Sequence, residues 1–344
     1  MTGDSPLSVH APPEHGGRLR QAAVRFGIPL ADWLDLSTGI NPQPWPVPAL
    51  TPEVWGRLPE DEDGLEAAAA RYYGAPDPLP LAGSQAAIQI LPALRAPGRV
   101  GVPQIGYQEH AHAWRIAGHE VIELADGDPG PLLDAGPERL DGLIVINPNN
   151  PTGHRWPVAT LLDWHARLAR HGGWLVVDEA FMDATPEGSL MPYAGRPGLI
   201  LLRSLGKFFG LAGARVGFLC AEPMLRERLK ARLGPWTLAG PSRLIAQWAL
   251  ADAGWQASAR SSLAHAGARL ATLLDEQGLT PAGGTMLFQW VLTPDAERIH
   301  TALARQGILV RYFERPASLR FGLPGDESAW QRLALALNQA LNES

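Results

Sequence analysis

Between residues 142 and 221 four short runs are dominated by apolar residues: Gly142 to Pro148, Trp174 to Phe181, Leu199 to Leu205 and Arg215 to Ala221. A helical pattern over Val158 to His171 separates the first two. Runs that are apolar at nearly every position suit strands buried on both faces, and their alternation with helices predicts an α/β fold with a mainly parallel sheet between helical layers. At 344 residues the chain exceeds what one core usually organises, so a second domain is expected. The later sequence supplies it: a helix over Ser258 to Gln277, a strand over Thr285 to Leu292, a helix near Asp295 to Gln306, a strand near Ile308 to Tyr312, and a terminal helix from Glu327. The stretch up to about Ile40 has too little core of its own and is expected to pack on that unit. The predicted organisation is a large domain over 41–255 and a smaller α+β domain built from 1–40 and 256–344.

Composition narrows the function. A net charge of −6 with scattered Lys and Arg gives no footprint for nucleic acid, and no apolar run reaches the ~20 residues of a membrane span. Met1 to Arg20 has no apolar segment of the secretory kind, so a cytoplasmic protein is expected. Cys220 is the single cysteine, which rules out an intrachain disulfide and a zinc site of several thiolates; its apolar run reads as a place for a buried, inert thiol. His110 and His112, two apart in a helical region, face different ways and read as packing or surface residues, so no metal is expected.

Chemistry concentrates at strand ends. Lys207, in Ser204-Leu205-Gly206-Lys207, closes a buried strand among aromatic and small residues, where desolvation favours the neutral, nucleophilic amine. Such an amine can form an imine with an aldehyde cofactor, while Ser204 and Arg215 offer a hydroxyl and a guanidinium to an attached phosphate. The tetrad alone also fits a solvated loop lysine. Asn150, in Asn147-Pro148-Asn149-Asn150-Pro151-Thr152-Gly153, is an amide donor on a turn stiffened by two prolines. Asp178, after four apolar residues, needs a partner such as a protonated pyridine nitrogen, or else caps the next helix. Gly83, Ser84 and Gln85 open a helical pattern whose free N–H groups suit an anion, with Ser84 as cap. Tyr107 can stack on a flat ring or serve the core.

Taken together these strings resemble the fold-type I pyridoxal-phosphate enzymes of the class I/II aminotransferase superfamily over nearly the whole chain. The resemblance implies a mainly parallel, seven-stranded type of sheet and pyridoxal 5'-phosphate bound through Lys207 as an imine. It assigns Asp178 to the pyridine nitrogen, Asn150 to the ring hydroxyl, Tyr107 to ring stacking, and Gly83, Ser84, Gln85, Ser204 and Arg215 to the phosphate. Arg320, in Ser318-Leu319-Arg320-Phe321-Gly322, matches the family's arginine for the substrate α-carboxylate. Phe181 and Leu58 stand where many members carry tyrosine; the first removes a hydrogen bond to the ring oxygen, and the second weakens the expectation of a site shared across a homodimer.

His15-Gly16-Gly17-Arg18 and Asp35-Leu36-Ser37-Thr38-Gly39-Ile40-Asn41-Pro42 are similar to the threonine-phosphate decarboxylase branch of cobalamin biosynthesis, as are Arg57 to Glu60 and Tyr107 to His110. That branch implies a small phosphorylated amino acid as substrate, with His15, Gly16 and Asn41 expected near its phosphate. A histidinol-phosphate-type aminotransferase and a non-catalytic binding protein retaining the fold are the competing expectations.

Overall fold

A computed structural model describes residues 13–125, 127–134 and 136–342. Seven strands form one sheet in the order β2-β8-β7-β6-β5-β3-β4. They are β2 (Leu79–Leu81), β3 (Arg99–Pro103), β4 (Glu120–Leu124), β5 (Gly142–Ile146), β6 (Trp174–Asp178), β7 (Leu199–Ser204) and β8 (Gly217–Cys220). β4, β3, β5, β6 and β7 run parallel, while β8 is antiparallel to both β7 and β2. Every residue of β5, β6 and β8 is buried, as continuous apolar runs require. Leu161 and Leu168 of the helix Val158–Ala169 are fully buried against the sheet core.

The second sheet has the order β1-β11-β12-β10-β9, with β1 (Leu34–Leu36), β9 (Gly283–Thr285), β10 (Phe288–Leu292), β11 (Ile308–Phe313) and β12 (Ser318–Gly322). β1 runs parallel to β11, joining segments of chain more than 270 residues apart. The strand expected over Thr285 to Leu292 is two strands, because Met286 and Leu287 turn the chain into an antiparallel hairpin. The helix expected from Ser258 starts at Ala253, where the Asp252 carboxylate accepts the Trp255 N–H at 3.0 Å.

The two sheets meet where backbone touches backbone. A Cβ on Gly153 would stand 2.1 Å from the Gly284 carbonyl oxygen, and one on Gly283 equally close to that of Thr152. The turn carrying Asn150 therefore rests on β9, and only glycine allows that approach.

Candidate active site

Lys207 lies three residues past β7, on a loop held by the segment just after β1. Asn41 N–H donates to the Lys207 carbonyl at 3.0 Å, its Nδ2 donates to the Phe208 carbonyl at 2.9 Å, and its Oδ1 accepts the Gln43 N–H. Trp45 N–H adds a bond to the Phe209 carbonyl. Asn41, expected beside a substrate phosphate, is thus buried with both ends of its amide bound to backbone; it braces the lysine loop.

The Lys207 amine stands 5.4 Å from the centre of the Phe181 ring. Burial, then the Arg320 and Arg215 guanidiniums, lower its pKa to about 8, with Asp178 pulling the other way. A neutral amine is accessible near neutral pH, as its place in the sequence predicted. Phe181, standing where a tyrosine is common, supplies a ring face to this amine and packs edge-on against Phe288.

Asp178 ends β6 with 3% of its surface exposed. Oδ1 accepts the Ala180 N–H at 3.0 Å and Oδ2 lies 3.0 Å from His110 Nε2. His110, read from sequence as a packing or surface residue, is the protein partner of this carboxylate. It stands in the first turn of the helix Glu109–Ile116 and reaches Asp178 from 68 residues away, so no local pattern announced the pair.

Asn150 Oδ1 accepts from Arg320 Nη1. This fixes the amide and leaves Nδ2 as a free donor. Arg320 projects from β12, 5% exposed, above the Phe288 ring; Nη2 donates to the Ser37 carbonyl and Nε is buried without a partner. Burial, then Arg311 on the neighbouring strand, lower its pKa. Of five N–H donors two are committed, so a carboxylate can still be received.

Gly83 takes φ +78°, and a Cβ there would meet Arg215 Nη2 at 2.7 Å. A Cβ on Gly217 would stand 2.4 Å from the Ser84 nitrogen. These two glycines let the Arg215 guanidinium and the first turn of the helix Ser84–Ile90 close on one another. Gly83, not Ser84, occupies the N-cap position, because the chain enters the helix through a positive φ that serine resists. Ser84 is the first helical residue. Ser204, at the end of β7, accepts the Gly206 N–H at 3.2 Å.

Tyr107 is half-buried, and its hydroxyl donates to Gln85 Oε1 at 3.0 Å. Burial raises its pKa, keeping the phenol protonated. His15 crosses from the N-terminal segment to Glu109, Nε2 to Oε1 at 2.6 Å, its ring 5.5 Å from that of Tyr107. Gly16 lies so close to Ser37 that a Cβ would strike its carbonyl at 2.3 Å. His15, Gly16, Tyr107, Asn150, Lys207 and Arg320 line one cavity of about 880 Å³. Asp178 and Arg215 act on its lysine electrostatically. Glu109 and the cavity-lining Arg311 were not singled out from the sequence.

Behind the lysine, Arg203 of β7 is fully enclosed. It pairs with Asp183 at 2.7 Å and Glu179 at 3.0 Å, donates to Ser189 Oγ, and covers the Tyr73 ring. This ties the C-terminal ends of β6 and β7, which carry Asp178 and lead to Lys207, into one unit.

Known proteins are similar to this chain in sequence and in fold. The aminotransferase class I and II family pattern matches residues 58–340. A threonine-phosphate decarboxylase of Pseudomonas aeruginosa is 59% identical over 324 residues, spanning 94% of this chain and 97% of that protein. A protein of the same name from Sinorhizobium sp. is 43% identical over 96% and 98% of the two chains. The crystal structure of histidinol-phosphate aminotransferase from Sinorhizobium meliloti in complex with pyridoxal-5'-phosphate superposes with a TM-score of 0.84 at 21% identity, covering 99% and 98% of the two chains. With its two sheets, its cavity at the strand ends and these likenesses, the chain belongs to the class I and II aminotransferase family.

Proposed function

We propose that the chain is a pyridoxal-phosphate-dependent threonine-phosphate decarboxylase, releasing carbon dioxide from O-phospho-L-threonine to give (R)-1-aminopropan-2-ol O-phosphate for cobalamin biosynthesis. One observation carries the choice of reaction: the 59% identity, over 94% of the chain, to a protein of that activity. The site chemistry fits the cofactor. An amine biased toward its neutral form, a buried carboxylate, a free amide donor, and a guanidinium closed over a helix start by two side-chain-free residues match an aldehyde, a ring nitrogen, a ring oxygen and a phosphate in turn.

Bound there, pyridoxal phosphate supplies a ring that accepts the electron pair left when a bond to the substrate Cα breaks. Lys207 Nζ would hold its aldehyde carbon and, as a free ammonium, would give Cα the proton that replaces the lost carboxylate. Asp178, steadied by His110, would keep a proton on the ring nitrogen. Asn150 Nδ2 would donate to the ring oxygen, a task it has alone because Phe181 carries no hydroxyl. Gly83, Ser84, Gln85, Ser204 and Arg215 would hold the phosphate. Arg320 would fork onto the substrate carboxylate, and His15 and Gly16 would lie near its phosphate; together they choose which Cα bond stands across the ring. A homodimer belongs to the same proposal. Its support is a set of exposed apolar side chains, Trp55, Leu58 and Trp236, on or next to the packed helices Pro52–Gly56 and Gly240–Ala251.

The test supplies purified protein with O-phospho-L-threonine and no keto acid, and follows carbon dioxide. Stoichiometric release that vanishes in Lys207→Ala supports the reading. Amino transfer from histidinol phosphate to 2-oxoglutarate, without carbon dioxide from phosphothreonine, overturns it.

A further inference from the structure

The contact of Glu109 with two other segments has no part in the reading above. Glu109 is 9% exposed at the first turn of its helix, an expensive place for a carboxylate without partners. Both oxygens are engaged: Oε1 lies 2.6 Å from His15 Nε2, and Oε2 accepts from Gln85 Nε2 at 2.7 Å. The partners lie 94 and 24 residues away in sequence, on the N-terminal segment and on the helix behind Gly83.

We infer that Glu109 is a positioning residue that locks the N-terminal segment and the ring-facing Tyr107 to one another. A carboxylate only accepts, so Gln85 must turn its NH₂ toward Glu109 and its carbonyl toward Tyr107. Tyr107 must then donate to that carbonyl, which fixes both its hydroxyl and the plane of its ring. By the same rule His15 presents Nε2–H to Glu109, leaving Nδ1 as its other polar atom.

The lock has a second anchor on the N-terminal side. Gly17 N–H donates to Ser37 Oγ at 2.7 Å, Ser37 Oγ donates to Asp35 Oδ1 at 2.6 Å, and Arg311 donates to the Glu14 carbonyl at 2.8 Å. Residues 14–17 are thus held to the end of β1 and to β11 on one side; among the described residues their hydrogen bond across the cavity to the helix Glu109–Ile116 is that of His15. Glu109 is the point at which that crossing is made.

The inference rests on the cavity being the cofactor site, so its first readout uses no turnover. In cofactor-free protein, Glu109→Ala is expected to raise amide hydrogen exchange at Gly16 and Gly17 at least tenfold while exchange in β5 and β6 stays as in wild type. In protein loaded with pyridoxal phosphate, the same variant is expected to change the circular dichroism of the cofactor band, because the ring beside it is no longer fixed. Glu109→Gln keeps the size and can satisfy both neighbours, its oxygen facing Gln85 and its NH₂ facing His15, provided His15 moves its proton to Nδ1. It is expected to retain the exchange protection and the dichroism while inverting the ¹⁵N shifts of the His15 ring nitrogens.

A third readout is a double-mutant cycle on KM for phosphothreonine. If Glu109 acts through His15, then Glu109→Ala combined with His15→Ala is no worse than the poorer single variant, and kcat changes less than KM in each. Unchanged exchange at residues 16–17 together with an unchanged cofactor band in Glu109→Ala overturns the inference, as do fully additive effects on KM. If phosphothreonine proves not to be a substrate, the exchange and dichroism results still decide the role of Glu109.

Discussion

Removing the Lys207 amine is expected to stabilise the cofactor-free protein, and by an amount that depends on pH. The amine titrates at about 8 in the folded chain against 10.5 when unperturbed, first because of burial and then because of Arg320 and Arg215. A group whose folded pKa lies below its unfolded value costs stability wherever the unfolded chain keeps the proton. The cost is complete below about pH 8, fades between 8 and 10.5, and is absent above. At about 1.4 kcal/mol per pH unit the interval amounts to roughly 3 kcal/mol. Water reaches the amine from the cavity, so about 2 kcal/mol is the working figure. Lys207→Met keeps the length of the side chain and removes the charge. Urea unfolding of cofactor-free protein should show the variant about 2 kcal/mol more stable at pH 7, and the difference should fall below about 1 kcal/mol at pH 10. Any packing gain from methionine is the same at both pH values, so the change in the gap is the diagnostic. A gap that is independent of pH, or a variant less stable at pH 7, refutes the reasoning.

Arg203→Met leaves Glu179 and Asp183 as enclosed carboxylates without their cation, and is expected to cost about 3–5 kcal/mol in urea unfolding; adding Glu179→Gln and Asp183→Asn should return most of that loss. Gly153→Ala puts a Cβ onto the Gly284 backbone at φ +73°, and should destabilise the protein by at least about 1–3 kcal/mol while raising KM, because the turn that carries Asn150 must lift off β9. Cys220 is fully buried and burial raises its thiol to about 12, so a thiol reagent at pH 8 should leave the native protein unlabelled and modify it fully in 6 M guanidinium.

The strands visible in the sequence are those buried on both faces. β5, β6 and β7 carry unbroken apolar runs because helices cover them on either side. β4 went unread because it is the sheet's edge: Glu120 and Glu123 are exposed on it, and the run is broken. β2 at the other edge contains Pro80, a residue that argues against a strand except in such a position. The helix starting at Ala253 carried a readable signal in Asp252, whose carboxylate caps it, but apolar periodicity alone set the boundary too late. Ser84 misled for the opposite reason. It is a good cap by residue type, yet Gly83 before it takes a backbone angle that serine does not need to share.

The site divides along the same line. Lys207, Asp178 and Asn150 follow strands whose apolar runs announce them, so sequence position alone puts each at an end of the sheet where a cavity can form. What those residues touch is another matter. Arg320 reaches Asn150 from 170 residues away, and His15 reaches Glu109 across 94. Neither pairing leaves a local pattern, since nothing in the chemistry of one partner fixes where in the chain the other must stand. Asn41 shows the same limit: its motif suggested a ligand and gave no sign that the backbone of the lysine loop takes one end of its amide while Gln43 takes the other. One of its two Nδ2 hydrogens is left over, so bracing the loop and meeting a phosphate are compatible, and only the folded chain reveals the brace.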